Sequence, residues 1–394
     1  MLSLEEAQAA LLAMAGPLPA ETVAVEAALG RWLATPLIAR RTQPAADLSA
    51  MDGYAVRGDD LVGPWRVVGE SAAGHPYPGL VAQGEAVRIA TGALIPAGAD
   101  AVIIQENCAR NSDHLRTTEG PAVPGRHIRR VGLDFRAGDA VLAAGARVGP
   151  AQLALALSAG AAEVAVARRP RVMVVEGGDE LAAPGEDGPA HRIPASNGAM
   201  VAAMIAGLAV VERRGPVADR VESLAEALDA ANADVVVTSG GASVGDHDLV
   251  QPALALLGAE VAFWKVAIRP GKPLLVARRG AQIILGLPGN PVSSLVTAHL
   301  FLLPLLRRMA GATACLPAPV FARMDGALPA GGARREFRRA VWDGARVRDG
   351  SLHDSGALAS LAVCNAFIDR PVGANRAEVD DMVPIFPLEW PGVA

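Results

Sequence analysis

Residues 234–248 read DVVVTSGGASVGDHD, and this stretch decides the fold of the central part of the chain. Its first half is a short, continuous apolar run, which is typical of a strand buried on both faces of a parallel sheet. Its second half is a loop rich in glycine, serine and acidic residues. In a doubly wound α/β sheet, ligands bind in the crevice at the carboxyl ends of the strands, which is where this loop would lie.

The segments on either side of this stretch repeat the alternation of strand and helix. Short apolar runs are predicted as strands at 171–176, 209–212, 234–238, 261–266, 274–277 and 282–287. Runs with apolar residues at helical spacing are predicted as helices at 199–207, 221–231, 249–257 and 292–309. This alternation favours a doubly wound, mainly parallel α/β domain over 169–312.

The remainder of the chain is predicted as smaller domains. Short strands separated by glycine and proline indicate a small β module at 43–137, and short strands return in a C-terminal β domain at 313–394. Residues 1–42 and 138–168 hold predicted helices at 4–15, 25–31 and 151–157 and form a helical or mixed linker domain. The fold class is therefore α/β plus β, in a multidomain chain.

The composition of the chain limits the partners that it can bind. Hydrophobic residues make up 51% and charged residues 20%, which is typical of a globular protein. The net charge of −5 leaves no broad basic field, so we expect no binding to nucleic acid or to a membrane. Three distant cysteines form neither a zinc signature nor a disulfide framework, and the acidic N-terminus is unlike a signal peptide. Both observations favour a cytoplasmic protein.

Four loops follow the predicted strand ends of the α/β domain. Loops 1 to 4 are 176–180 (EGGDE), 238–248 (TSGGASVGDHD), 265–273 (KVAIRPGKP) and 288–294 (PGNPVSS). In loops 2 and 4, glycines let backbone N–H groups point into one concavity, and the helix start in loop 4 adds its positive end, which suits an oxyanion. Loop 3 holds the only two lysines of the chain, Lys265 and Lys272, together with Arg269.

Acidic side chains accompany this pattern in loops 1 and 2. Asp179, Glu180, Asp246 and Asp248 would repel an anionic substrate unless a hard divalent cation bridges them, so the loops imply Mg²⁺. Taken singly, each loop also fits an ordinary turn, and 246–248 also fits a solvated helix start. Together, the four loops favour a nucleotide- or phosphate-type site.

Other catalytic patterns receive little support. The chain has no GxxxxGK[ST] and no GxGxxG after a strand, which argues against a P-loop NTPase or an NAD enzyme. Residues 241–245 match the GxSxG pattern of serine hydrolases. Because Ser243 lies several residues after the predicted strand end, a serine hydrolase stays only as an alternative.

Seven motifs, in their order along the chain, resemble the molybdopterin molybdenumtransferases, the family of bacterial MoeA and of the gephyrin E domain of animals. They are SAMDGYAV at 49–56, RIATG at 88–92, IRRVGLD at 128–134, GDEL at 178–181, TSGGASVGDHD at 238–248, FWKVAIRPGKP at 263–273 and GLPGNPVSS at 286–294. The resemblance covers nearly the whole chain. It implies an elongated homodimer whose central α/β domain is similar to the molybdopterin adenylyltransferases, and whose cleft is completed by the β module of the partner subunit.

The resemblance also implies a reaction, the last step of molybdenum cofactor synthesis. Adenylylated molybdopterin would be cleaved, molybdate would enter the dithiolene and AMP would leave, with Mg²⁺ required. A separate molybdopterin adenylyltransferase is a possible partner. A non-catalytic molybdopterin-binding or scaffold protein of the same fold stays open as an alternative.

Residue roles follow from the motifs that match. The resemblance implies catalytic roles for Asp52, Asp134, Glu180 and Asp248. It implies metal binding by Asp179, Glu180, Asp246 and Asp248. It implies substrate or phosphate binding by Thr91, Arg129, Ser239, Gly240, Gly241, Ser243, Lys265, Arg269, Pro288, Gly289, Asn290 and Pro291. It implies molybdate binding by Lys272, Ser293, Arg338 and Ser355.

The chain departs from the family pattern at a few positions. Glu176 and Gly177 stand where the family commonly has serine and threonine, Arg269 stands where lysine is usual, and Leu133 stands where an acid is common. These departures leave the choice between molybdate and tungstate open.

Overall fold

The computed structural model describes residues 1–60, 62–183, 185–186, 189–230, 232–240, 249–350 and 354–388. The helices are α1 (Leu4–Ala13), α2 (Pro150–Ser158), α3 (Asn197–Ile205), α4 (Val221–Leu228), α5 (Val250–Leu256), α6 (Pro291–Thr297), α7 (Leu303–Met309) and α8 (Leu358–Ala362). The strands of the first part of the chain are β1 (Ala20–Ala24), β2 (Leu37–Ile38), β3 (Leu48–Ser49), β4 (Gly53–Val56), β5 (Trp65–Ser71), β6 (Glu85–Ile89), β7 (Ala101–Ile104), β8 (Cys108–Asn111), β9 (His114–Thr117), β10 (Ile128–Arg129), β11 (Ala140–Leu142) and β12 (Glu163–Ala167). The later strands are β13 (Arg171–Gly177), β14 (Leu181–Ala182), β15 (Ile193–Pro194), β16 (Val210–Val217), β17 (Val235–Ser239), β18 (Glu260–Trp264), β19 (Ile268–Arg269), β20 (Leu275–Arg279), β21 (Gln282–Leu287), β22 (Val320–Met324), β23 (Arg335–Trp342), β24 (Arg346–Asp349), β25 (Ala366–Arg370) and β26 (Met382–Pro387).

The first helix begins at a capping box that the sequence spells as Ser-x-x-Glu. Ser3 Oγ accepts a hydrogen bond from the Glu6 backbone N–H at 3.2 Å, and Glu6 Oε2 accepts one from the Ser3 N–H at 2.8 Å. Although we grouped residues 1–42 with the linker domain, Leu4 and Leu11 of α1 pack into the core of the central α/β domain.

The helix predicted at 25–31 is wrong: a 3₁₀ turn spans Val25–Ala28, and Gly30 at φ 79° lies in the left-handed region, where a right-handed helix ends.

The β module forms one mixed sheet in the strand order β7-β4-β6-β5-β9-β8. Its core contains the fully buried Trp65, together with Tyr54, Val56 and Leu115. β3 and β10 form a separate antiparallel pair beside this sheet. The connection to the central domain uses β1, which pairs antiparallel with β12, and β2, which pairs with β11.

The central sheet has the strand order β16-β13-β17-β21-β20-β18. Strands β16, β13, β17 and β21 are parallel, and β20 and β18 add antiparallel pairs at one edge. Alternate residues of β13 face two cores: Val172 and Val174 pack with α1, α3 and α6, whereas Met173 and Val175 pack with α4 and α5. Because both faces are covered, the strand is apolar at every one of these positions. The predicted doubly wound, mainly parallel sheet is confirmed.

The long helix that follows β21 is the centre of the first of these cores. It runs over Pro291–Met309 as α6, a π-helical segment (Ala298–Leu302) and α7, and by length and composition it could cross a membrane, but 94% of its apolar window is buried inside the protein. Pro304 has no N–H to donate to the Leu300 carbonyl oxygen one turn earlier. The Gln8 side chain of α1 donates to that oxygen instead, at 2.9 Å.

The C-terminal strands close into a barrel, in which β23-β24-β22-β26-β25 are neighbours in turn and β25 also pairs with β23. Alternating small and branched residues such as Ala322, Val347 and Ile385 fill its interior. β19, which lies inside loop 3, pairs in parallel with β23 through Ile268–Arg335 and Arg269–Glu336. This pairing attaches loop 3 of the central domain to the barrel. The structure confirms a fold class of α/β plus smaller β-rich domains.

Candidate active site

The register of the central sheet places the strand ends in one row. Val175 pairs with Thr238, Thr238 with Gly286, Gly286 with Leu275, and Leu275 with Trp264. Loops 1, 2 and 4 therefore leave the sheet at one edge. Loop 3 joins the end of β18 to the start of β20 at the same edge. The four loops that the sequence singled out converge there, as the doubly wound topology requires.

Close backbone contacts join loops 1, 2 and 4. Gly240 has φ of 94°, and a Cβ at this position would lie 2.9 Å from the carbonyl oxygen of Gly177. A Cβ at Gly289 would lie 3.5 Å from the Cα of Gly240. A side chain at position 240 would therefore be strained and would press against loop 1. The glycine in loop 2 lets the backbones of the three loops approach one another.

Several buried polar atoms at this edge have no hydrogen-bond partner among the described residues. They are Thr238 Oγ1, Ser239 Oγ and Asn197 Oδ1. Asn197 also donates from Nδ2 to the Gly289 carbonyl oxygen at 2.6 Å, which ties the start of α3 to loop 4. Buried polar groups in native proteins are normally paired, so this concentration fits an edge that is completed by a ligand. Asn197 belongs to none of the motifs that we singled out, and we did not predict it.

The predicted metal ligands are only partly described. Asp179 and Glu180 are exposed in loop 1, whereas Asp246 and Asp248 lie outside the described residues, as do Gly241 and Ser243. Asp179 and Asp219 are tied together, since the carboxylate of each accepts a hydrogen bond from the backbone N–H of the other at 3.2 Å. Within the described ranges, no group of three or more His, Cys, Asp or Glu side chains could hold a metal ion. Mg²⁺ binds oxygen ligands such as carboxylates. Asp179 and Glu180 therefore suit this ion, but by themselves they do not form a complete site.

A cavity of about 370 Å³ lies where loop 3, the start of α6 and the barrel meet. We call it the barrel-side cavity. Its charged and hydroxyl-bearing lining consists of Arg269, Lys272, Ser293, Arg334, Glu336, Arg338, Arg339, Asp354 and Ser355. The structure therefore brings together all four residues that we predicted to bind molybdate. Arg334, Glu336, Arg339 and Asp354 were not predicted, because they lie on barrel segments without a recognisable motif.

Ion pairs hold the cationic side chains of this cavity in place. Arg338 Nη2 donates to Asp349 Oδ2 at 2.6 Å, and its Nη1 donates to Glu336 Oε1 at 3.2 Å. Burial acts to lower the pKa of Arg338, but the contacts with these two carboxylates outweigh it, so the pKa is raised. Glu336 also lies 3.8 Å from Arg269 Nη1. Lys272 forms no ion pair with a described residue, so its charge is available to an anion.

Lys265, the other lysine of loop 3, has different surroundings. Its backbone has φ of 76°, and its Nζ lies 4.0 Å from the centroid of the Trp264 ring. This geometry is a cation–π contact. Lys265 does not line the barrel-side cavity.

A second group of predicted residues lies on the β module. Asp52 Oδ1 accepts hydrogen bonds from the Thr91 N–H at 2.6 Å and from Thr91 Oγ1 at 3.0 Å, and these bonds lower the pKa of Asp52. Arg129 lies on β10, opposite Leu48 of β3, and is exposed, as is Asp134. We call Asp52, Thr91, Arg129 and Asp134 the β-module patch. Among the described residues, no hydrogen bond or ion pair connects this patch to the loops of the central sheet.

Comparison with known proteins decides the family. Residues 2–160 match the model "MoeA N-terminal region (domain I and II)", residues 173–308 match "Probable molybdopterin binding domain", and residues 322–388 match "MoeA C-terminal region (domain IV)". A molybdopterin molybdenumtransferase of Haemophilus influenzae is 39% identical over 79% of this chain and 78% of its own. A molybdopterin molybdenumtransferase 2 of Mycobacterium tuberculosis is 37% identical over 94% of this chain and 96% of its own. The chain belongs to the MoeA (molybdopterin molybdenumtransferase) family.

Solved structures of the MoeA family agree with this assignment. A crystal structure of a molybdopterin biosynthesis MoeA protein from Pyrococcus horikoshii superimposes with a TM-score of 0.85 at 26% identity, covering 98% of this chain and 100% of that one. A second crystal structure, also of a molybdopterin biosynthesis MoeA protein from Pyrococcus horikoshii, gives a TM-score of 0.81 at 30% identity, covering 99% of this chain and 100% of that one. The similarity extends over nearly the whole length of this chain and over the full length of both solved chains.

Proposed function

We propose that this chain is a molybdenum-inserting transferase, which cleaves adenylylated molybdopterin, places molybdate in the dithiolene and releases AMP. Membership of the MoeA family supports a transferase of molybdenum cofactor synthesis. The observation that carries the proposal is the barrel-side cavity, which shares loops 3 and 4 with the glycine-lined edge of the central sheet. An anion pocket beside a phosphate-binding edge is what a reaction between a tetrahedral oxyanion and an adenylylated substrate requires.

In this proposal, the described residues form two subsites, one for each substrate. Gly240, Gly289 and Ser239 offer backbone N–H groups and a hydroxyl for the phosphate groups of the adenylylated pterin. Lys272 and Arg338 supply positive charge, and Ser293 and Ser355 supply hydroxyl donors, for molybdate. Because cavity cations held by carboxylates are already oriented, they stabilise an incoming dianion with little rearrangement.

Magnesium belongs to this proposal as well. Asp179 and Glu180, together with Asp246 and Asp248 outside the described residues, would hold the ion. A bound Mg²⁺ would neutralise charge on the phosphate groups as AMP departs.

We further propose a homodimer in which the β-module patch of one subunit completes the cleft of the other. The support for this is that Asp52 and Thr91 are hydrogen-bonded to each other and exposed, while no hydrogen bond or ion pair among the described residues links them to the central loops. We also propose that the protein acts in the cytoplasm, without a membrane or nucleic acid, and that a molybdopterin adenylyltransferase supplies its substrate.

The test is incubation of the purified protein with adenylylated molybdopterin, Mg²⁺ and molybdate. We expect release of AMP that depends on molybdate. Binding of the pterin without molybdate-dependent AMP release would overturn the proposal in favour of a non-catalytic binding or scaffold protein. Covalent labelling of Ser243 by a fluorophosphonate would instead support the serine hydrolase.

A further inference from the structure

Glu176 is a buried acidic residue at the edge of the central sheet where loops 1 to 4 converge. The proposed reaction assigns no role to it. It is the second-last residue of β13, and its side chain is 7% exposed. Because it follows Val172 and Val174 at strand spacing, it faces the side of the sheet that α3 covers. A carboxylate at this depth must be held by groups that offset its desolvation.

Two elements lie next to the Glu176 carboxylate. Arg213 of β16 donates to Oε2 at 3.4 Å. On the other side lies Gly198, the second residue of α3, where a Cβ would be 2.3 Å from Oε2 and 2.5 Å from the carboxyl carbon. The carboxyl group therefore occupies the space that any side chain at position 198 would need. A negative charge beside the first turn of a helix is also favourable, because that end carries the positive partial charge.

The start of α3 is in turn connected to loop 4. Asn197, the residue before Gly198, donates from Nδ2 to the Gly289 carbonyl oxygen at 2.6 Å. A shift of the first turn of α3 would move Asn197 and, through this hydrogen bond, the Gly289 backbone. Gly289 lies against Gly240 of loop 2, so the shift would reach the phosphate-binding edge.

We propose that Glu176 and Gly198 are a matched pair that sets the position of the first turn of α3 and, through Asn197, positions loop 4 for the adenylylated substrate. Glu176 is a positioning residue and does not touch the reacting atoms. The absence of a side chain at position 198 makes room for the Glu176 carboxyl group. The role in substrate binding rests on the proposed function, whereas the coupling between the two residues does not.

The experiment compares four variants of the full-length protein: Gly198→Ala, Glu176→Ser, the double variant, and Gly207→Ala as a matched control. A Cβ at Gly207, just beyond the end of α3, would meet nothing within 4 Å. Hydrogen–deuterium exchange of the 286–291 peptide is the primary measurement. Gly198→Ala should displace the carboxyl group and speed exchange of this peptide about tenfold, while Gly207→Ala leaves it unchanged. In the Glu176→Ser background, Gly198→Ala should change exchange less than about twofold.

The kinetic arm separates positioning from general destabilisation. Gly198→Ala should raise KM for adenylylated molybdopterin about tenfold and change kcat less than about twofold, whereas adding it to Glu176→Ser should change the KM of that variant less than about twofold. Equal effects of Gly198→Ala in both backgrounds would overturn the matched pair. Faster exchange over the whole chain, instead of at 286–291, would overturn the positioning role. Absence of AMP release by the unmodified protein would overturn the proposed function alone, because the exchange comparison needs no substrate.

Discussion

The barrel-side cavity and the β-module patch hold their charged residues in opposite ways. In the cavity, Arg338 has only 10% of its side chain exposed and is held by Asp349 and Glu336, which come from the same chain. In the patch, Asp52 is exposed, and Thr91 is its hydrogen-bond donor. The charged side chains of the cavity are thus held in place by residues of the same chain, whereas those of the patch are exposed at the surface. This difference supports our proposal that the β-module patch of a second subunit completes the site.

The largest effect should come from loss of the Lys272 charge, which lies in the cavity and has no ion-pair partner among the described residues. Lys272→Ala should raise the molybdate concentration needed for half-maximal AMP release about a hundredfold, because a positive charge facing the dianion is lost. Binding of adenylylated molybdopterin should change little. Lys265→Ala is the matched control, since Lys265 lies on the Trp264 ring and outside the cavity. An equal rise in the molybdate requirement of Lys272→Ala and Lys265→Ala would contradict a specific role for Lys272 in the cavity.

Substitution in the patch should have a smaller effect, which a second subunit can rescue. Asp52→Ala should lower turnover about tenfold, because the proposed shared cleft would lose a charged group. If the cleft is shared between subunits, mixing Asp52→Ala with Lys272→Ala protein should restore about a quarter of normal activity, since half of the dimers regain one intact site of two. Steady-state AMP release by the mixture measures this. Activity of the mixture equal to the mean of the two variants would contradict a shared site.

Arg338→Lys tests whether the geometry of the cavity matters beyond its charge. Lysine keeps the positive charge but cannot form the forked contact with Asp349. We expect the molybdate requirement to rise about fivefold, with the affinity for the adenylylated pterin unchanged. Calorimetric titration with molybdate and with tungstate would detect the change. An unaltered affinity for both oxyanions would show that charge alone is sufficient.

The smallest effect should follow from Thr91→Val, which removes one of the hydrogen bonds to Asp52. The backbone N–H of Thr91 is the larger cause of the lowered pKa of Asp52 and remains in the variant, so the pKa should rise only partly. Activity at neutral pH should fall about twofold or less, because Asp52 stays ionised. The contribution of ionised Asp52 to stability is present above about pH 4 and is lost as the pH falls through its lowered pKa. NMR titration of the Asp52 carboxyl carbon checks the shift; an unchanged pKa would exclude the hydroxyl as a contributor.

Local sequence predicted the elements of the central domain well. The strand predicted at 282–287 is β21 at those residues, and the helix predicted at 292–309 begins one residue earlier, at Pro291. These predictions succeeded because a strand covered on both faces is continuously apolar, and this pattern is visible within a few residues. The prediction at 25–31 failed because a short apolar run does not distinguish a helix from a strand followed by a 3₁₀ turn.

The candidate site was predictable from local sequence where glycine or charge marks a loop, whereas Arg338 and Ser355 of the barrel followed only from the family resemblance. Loops 1 to 4 could be recognised because their glycines are typical of turns and their basic and hydroxyl-bearing residues are typical of anion-binding sites. Asn197 and Gly198 carry no such signal, because their importance depends on Gly289 and Glu176, which are distant in the chain. Glu336 was missed for the same reason: its partner Arg269 belongs to another domain.

By itself, the sequence determined the α/β class of the central domain, the loops at the strand ends and the family, because these depend on short-range patterns and on motif order. Only the tertiary structure decided which loops touch, how the barrel meets loop 3 to enclose a cavity, and which buried acid faces which glycine. The physical reason is that each of these features is a contact between segments separated by tens of residues. Such contacts depend on strand order, register and side-chain packing, which no single stretch of the chain contains.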